Sequence, residues 1–223
     1  GRVITGFEEA GDGVWKVSLD VPFVRDLCVN GVMADIAKSE NKIFGTGHYY
    51  KDNTDEVPDG IYVNKADLGL YKNPDDIELK WEIMHVNAVV HIKDLKQDPN
   101  DESQVIVEMS NPFWGSIYND NTVYYSAPTA PGWEIAFSVR NAYEMLDEKG
   151  EFYYDKKEKI LYYIPRDGED MSTAEVICPM IDRLVTVRGR GPKNVITNLA
   201  FENIKFAHTT WADLDENSVL YNQ

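Results

Sequence analysis

The chain has 223 residues, 43% hydrophobic and 12% aromatic, which supplies the core of one large β domain or two small ones and excludes global disorder. Its 22 Lys and Arg against 38 Asp and Glu leave a formal net charge of -16, a field that repels phosphate backbones and anionic lipid and excludes nucleic acid as a partner. No apolar run approaches the roughly 20 residues of a spanning helix, and the N-terminus has no basic stretch leading into an apolar core, so neither membrane insertion nor a signal peptide is expected.

Apolar residues alternate from Trp15 to Asp20, and Val24 to Val29 makes a second short strand that ends on the turn pair Asn30-Gly31. Two strands and a hairpin are predicted there. Lys51 to Gly60 is a polar, acidic loop carrying Pro58, and it leads into the strand Ile61-Tyr62-Val63. Lys65 to Tyr71 fits one helical turn, broken at Asn73-Pro74 because proline restricts its predecessor and has no N–H to donate.

Ile77 to Ile83 alternates apolar with polar residues at period two, as a strand with one buried face must. Val86 to Ile92 and Val105 to Met109 continue the pattern across the polar stretch Lys96 to Ser103. Asn111 to Trp133 mixes turn residues and aromatics without a period and reads as long structured loops. Asn141 to Glu148 is the best helix candidate, with Ala142, Met145 and Leu146 on one side and Gly150 as its stop.

Gly150 to Asp155 and Ile160 to Pro165 flank a charged turn and predict a tyrosine-rich hairpin. Pro165 to Met171 is a turn-rich linker before the strand Glu175-Val176-Ile177. The character then changes. Val185 and Val187, Leu199 and Phe201, and Ile204 and Phe206 form apolar doublets between turn residues, at about the spacing of one solenoid coil. So few coils are not stable alone, and they are expected to lean on the preceding domain or on further coils.

The residues that carry chemistry are sparse. Cys28 and Cys178 have no zinc-type spacing; they are two buried thiols or one long-range disulfide. His48, His85, His91 and His208 lack the spacing of a metal site, and no metal or cofactor is expected. Asp213 to Asn217 begins like a calcium loop, but Ser218 stands where the sharp turn needs glycine. Arg188 to Lys193 is a basic cluster best explained as an exposed turn.

His208 and Trp211 fall at a coil edge, where solenoids display side chains, and Trp114 and Trp133 lie in loops. These four are the candidate substrate-binding residues. Sugar rings present C–H faces to indoles, although capping a β core is the alternative use for each tryptophan. Glycoside hydrolysis needs two carboxylates about 5 to 9.5 Å apart across a cleft, and spacing in sequence does not supply that distance.

Leu27-Cys28-Val29-Asn30-Gly31, the hairpin Gly150 to Pro165 with its tail Arg166 to Met171, and the segments Asn198 to Ile204 and Phe206 to Trp211 occur in an order that carries a resemblance. The chain resembles bacterial right-handed parallel β-helix proteins of the glycoside-hydrolase type, especially family 141. It departs from them in having Phe152 where tryptophan is usual and in lacking a glycine in the turn Lys156 to Lys159.

The resemblance implies an all-β fold: a β-sandwich or barrel insert over residues 1–175 with one or two short helices, then over 176–223 the first coils of a right-handed parallel β-helix of the pectin lyase-like kind. It implies an accessory segment of a secreted, periplasmic or cell-surface protein that hydrolyses polysaccharide with a carboxylate pair. Its partners would be a polysaccharide or oligosaccharide and the rest of the parent β-helix. The family's catalytic carboxylates are expected on coils beyond Gln223, so no catalytic residue is assigned here. Two alternatives stay open: a stand-alone carbohydrate-binding or cell-surface scaffold module without activity, and hydrolysis by the segment itself through residues such as Asp213, Asp215 and Glu144.

Overall fold

The structure is a computed structural model that describes residues 1–52, 57–83, 86–112, 114–115 and 134–211. Its strands are β1 (Arg2–Ile4), β2 (Glu8–Gly11), β3 (Val14–Ser18), β4 (Cys28–Val29), β5 (Val32–Met33), β6 (Asp35–Ile36), β7 (Ile43–Tyr49), β8 (Gly60–Asn64), β9 (Glu78–Ile83), β10 (Val86–Gln97), β11 (Gln104–Met109), β12 (Glu134–Arg140), β13 (Glu151–Asp155), β14 (Ile160–Tyr163) and β15 (Val176–Cys178). The chain is all-β, as expected.

Six strands close a barrel in the order β10-β11-β8-β7-β12-β9. Period-two alternation fills it: Ala88, Val90 and Ile92 of β10 and Val105, Val107 and Met109 of β11 point into one core with Ile61, Val63, Leu79, Phe137 and Val139. Register shifts between Ile92 and Asp94 and between Thr46 and Tyr49 supply the bends that a closed sheet needs. At Gly60 the strands approach so closely that an added Cβ would lie 2.1 Å from the Val107 carbonyl oxygen.

Two smaller sheets enclose a second core. One runs β1-β15-β4-β5 and the other β2-β3-β14-β13-β6. The predicted Asn30-Gly31 hairpin forms, joining Cys28 to Met33 and Val29 to Val32 across φ angles of 52° and 80°, the left-handed pair of a type I′ turn. Cys28 and Cys178 are both free and buried, so no disulfide links them.

The tyrosine hairpin is β13–β14, and it joins the two cores. Phe152 and Tyr154 of β13, with Leu161 and Tyr163 of β14, face the second core, while Tyr153 enters the barrel core and Tyr162 packs against it. An aromatic-rich strand suits this place because both of its faces are covered.

Three expectations change. The helix expected over Asn141 to Glu148 is a single 3-10 turn, Tyr143–Met145, bounded by Asn141 at φ 58° and by Leu146 in a non-helical conformation. A two-turn segment lacks the length to hold a helix against such ends. The break at Asn73 opens a second 3-10 turn, Pro74–Asp76, with proline at its start. Beyond Cys178 no strand forms among the described residues, so the doublets of the expected solenoid coils have no ladder partners there. The expected turn at Lys65 does form, with Leu68 N–H donating to the Asn64 carbonyl.

Candidate functional site

Where β13 ends, Asp155 Oδ1 accepts the backbone N–H groups of Lys157 at 3.0 Å and Glu158 at 2.8 Å, which fixes the hairpin turn. Its Oδ2 accepts from Asn73 Nδ2 at 3.0 Å. Asn73 sits at φ 47° in the left-handed region, and its Nδ2 also donates to Tyr153 Oη at 3.1 Å. Tyr153 Oη in turn donates to Asp76 Oδ2 at 3.0 Å. The Asp76 carboxyl is pushed up by burial, opposed by the Lys156 ammonium and the Tyr153 hydrogen bond. Burial likewise pushes the Tyr153 phenol up, so it stays protonated and donating.

Tyr143 closes this network from outside. Its ring meets Tyr153 at 5.9 Å and Tyr162 at 5.1 Å, both edge to face, and Tyr153 and Tyr162 stack at 6.2 Å. The 3-10 turn that carries Tyr143 is tied to the opposite wall by Glu144 Oε1, which accepts from Lys72 N–H at 2.9 Å. Lys72, Asn73, Tyr143, Asp155 and Tyr162 thus line a shallow groove of about 140 Å³, with Tyr143 38% exposed.

A second constellation ties the C-terminal segment to the body. Arg25 pairs through both terminal nitrogens with the two carboxylate oxygens of Glu78, and both side chains are buried. The Arg25 guanidinium lies 3.8 Å from the centre of the Trp211 ring, a cation–π contact. Thr210 Oγ1 donates to Asp26 Oδ2 at 2.6 Å, and Thr210 N–H donates to the Ile181 carbonyl at 3.0 Å. Nearby Arg140 is held below its usual range by burial, against the attraction of Glu78.

The candidate residues separate accordingly. Trp114 is fully buried in the barrel core, its Nε1–H donating to the Pro58 carbonyl at 2.5 Å, so its ring offers no face to a ligand. Trp211 is half-buried on Arg25, three residues after His208, which occupies a left-handed corner at φ 60°. Trp133, Asp213 and Asp215 lie outside the described residues. Three grooves bring one carboxylate each to their lining, from Glu8, Asp35 and Asp155. Asp76, although bridged to Asp155 through Asn73, is only 3% exposed behind Tyr153, so these two carboxylates do not share an open cleft. Among the described residues no group of three or more His, Cys, Asp or Glu is placed to hold a metal ion.

Residues 21–166, which span the barrel and the tyrosine hairpin, match the family described as the GH141 insertion domain. The chain belongs to that family. A solved structure named as a glycoside hydrolase superposes on 95% of the chain with a TM-score of 0.74 at 24% identity, which shows a shared fold. The chain spans 36% of the length of that structure. Among curated proteins none matches.

In this GH141 insertion domain the exposed aromatic of the described groove is Tyr143, which is not among the candidate residues named from the sequence. The signal was present in the 13 tyrosines and in the Asn73-Pro74-Asp75-Asp76 punctuation. It went unread because Tyr143 is adjacent neither to the hairpin nor to Asn73 in sequence, and only the closed barrel brings the three together.

Proposed function

We propose that the chain is the accessory insert of a carbohydrate-active β-helix protein, whose own catalytic carboxylates hydrolyse the glycosidic bonds of a polysaccharide. The match of residues 21–166 to the GH141 insertion domain carries this reading.

The segment after β15 gives the β-helix part its physical support. Ile181, Val185, Val187, Leu199, Phe201 and Phe206 are all exposed, and left-handed corners at Asn198, Asn203 and His208 break the segment into short straight runs. Straight apolar runs between corners suit the first coils of a solenoid whose neighbours cover them. Burying such side chains is worth roughly 25 cal/mol per Å² of apolar surface. In this reading the Arg25–Trp211 and Asp26–Thr210 contacts set the angle between insert and solenoid, and the parent acts outside the cytoplasm, where polysaccharide is met.

The test compares the 223-residue chain with the parent protein on soluble polysaccharides, reading released reducing ends. Hydrolysis by the parent and none by the chain is expected. Turnover by the chain at the parent's rate would overturn the accessory role and return Glu144, Asp213 and Asp215 to consideration.

A further inference from the structure

We propose that the groove of Tyr143, Tyr162, Lys72, Asn73 and Asp155 is a binding subsite for one neutral pyranose ring of a glycan chain. The proposal rests on the carbohydrate-active reading above and deepens it by assigning the insert a sugar contact of its own. A pyranose has an apolar C–H face and a rim of hydroxyls, so its site pairs an aromatic face with polar groups at the edge. This groove has that composition.

The aromatic part is already ordered. Tyr143 is held edge to face by Tyr153 and Tyr162 while 38% of its surface stays exposed, so binding costs little side-chain freedom. The polar rim is fixed as well. Both amide protons of Asn73 are used, on Tyr153 Oη and Asp155 Oδ2, which leaves its carbonyl oxygen to accept from a hydroxyl. Asp155 already takes three N–H donors, and a carboxylate offers about four acceptor positions. The exposed Lys72 side chain supplies the donor, on a backbone pinned by Glu144.

Size and charge narrow the ligand. A volume of about 140 Å³ lies well below that of sites for larger ligands and suits a single ring, with its neighbours lying over open surface. Glu144 holds the Lys72 backbone and Asp155 lines the groove beside it, while Asp147 acts on Tyr71 and Glu158 on Tyr162, and the chain carries a formal charge of -16. The carboxylates of this group raise the phenols of Tyr71 and Tyr162, after burial as the first cause. A uronic acid would bring a further negative charge into that field, whereas a neutral hexose or pentose brings none.

The experiment is an amide NMR titration of the 223-residue chain with cellohexaose, mannohexaose, xylohexaose and hexagalacturonate. At least one neutral hexasaccharide is expected to shift the amides of Lys72, Asn73, Tyr143 and Asp155 saturably, with hexagalacturonate at least tenfold weaker. Tyr143→Ala, which also gives up two edge-to-face contacts and so lowers the melting temperature somewhat, should weaken binding about tenfold or more while still folded at the titration temperature, and Lys72→Glu, at an exposed position, at least about threefold. If Tyr143→Ala proves unfolded, Lys72→Glu decides alone. No shift with any neutral sugar, stronger binding of hexagalacturonate, or full binding by the variants would overturn the subsite. Those outcomes leave the accessory role standing, because only hydrolysis by the chain alone removes that.

Discussion

Burial pushes the Glu151 carboxyl from its ordinary 4.5 up to about 7, against backbone hydrogen bonds from Glu148 and Asp147 that lower it. The residue is 3% exposed, and it opens β13 beside Asp35 of β6. Its folded pKa is raised, so between pH 4.5 and about 7 the native state holds more of this proton than the unfolded chain. The stability it contributes is therefore complete below pH 4.5 and is lost as pH rises through about 7. Glu151→Gln, which cannot ionise, should remove that slope: the melting temperature of wild type relative to the variant should fall from pH 4.5 to 7.5. A difference that stays flat across this range would refute the linkage. Nothing in the sequence marks Glu151 among 38 acidic residues, because the shift arises from the sheet edge that β6 and β13 build around it. Trp114 teaches the same lesson in reverse, since an apparent loop position places its indole in the barrel core.

At the scale of elements, period two made much of the fold legible. The strands around Ile61, Leu79, Val90 and Val107 all lie where alternation predicts, and the Asn30-Gly31 turn dictates its own hairpin. Closure was not legible. The β12–β9 pairing joins Val139 to Leu79, and β12–β7 joins Phe137 to Ile43, distances along the chain over which local pattern says nothing about partners. The apolar doublets after Cys178 show the converse limit, since a strand-like pattern does not say which neighbour it pairs with, and no pairing forms there among the described residues.

Closure also has a tight point at Gly60, where β8 meets β11. An added Cβ would stand 2.1 Å from the Val107 carbonyl, and neither party is a flexible side-chain end that can swing away. Gly60→Ala should therefore force the β8–β11 ladder apart and cost roughly 1 to 3 kcal/mol, the range for overpacking a tight interior. Urea unfolding would show it as a lower midpoint. Retention of the wild-type midpoint would mean that the barrel relaxes there at no cost.

For the whole molecule the contrast is between two closed cores and the segment from residue 179 to 211. The barrel and the paired sheets satisfy their backbone groups in ladders, and Trp114, Tyr153, Tyr154 and Tyr163 seal them. In the segment, the backbone bonds described are Arg190 N–H to the Asn194 carbonyl, Asn194 N–H to Gly191, and Thr210 N–H to Ile181. Few ladder bonds and many exposed apolar side chains characterise a region of low local stability. Hydrogen exchange on the 223-residue chain should accordingly show amides near Leu184–Val187 and Leu199–Phe206 exchanging far faster than those of β8, β11 and β13. The same amides should become protected in the parent protein, where coils stacked on Val187, Phe201 and Phe206 would supply both ladder bonds and apolar cover. Fast exchange in the parent too would mean that the row is not a solenoid seam, and the Arg25–Trp211 contact would then anchor a surface strap instead of the start of a β-helix.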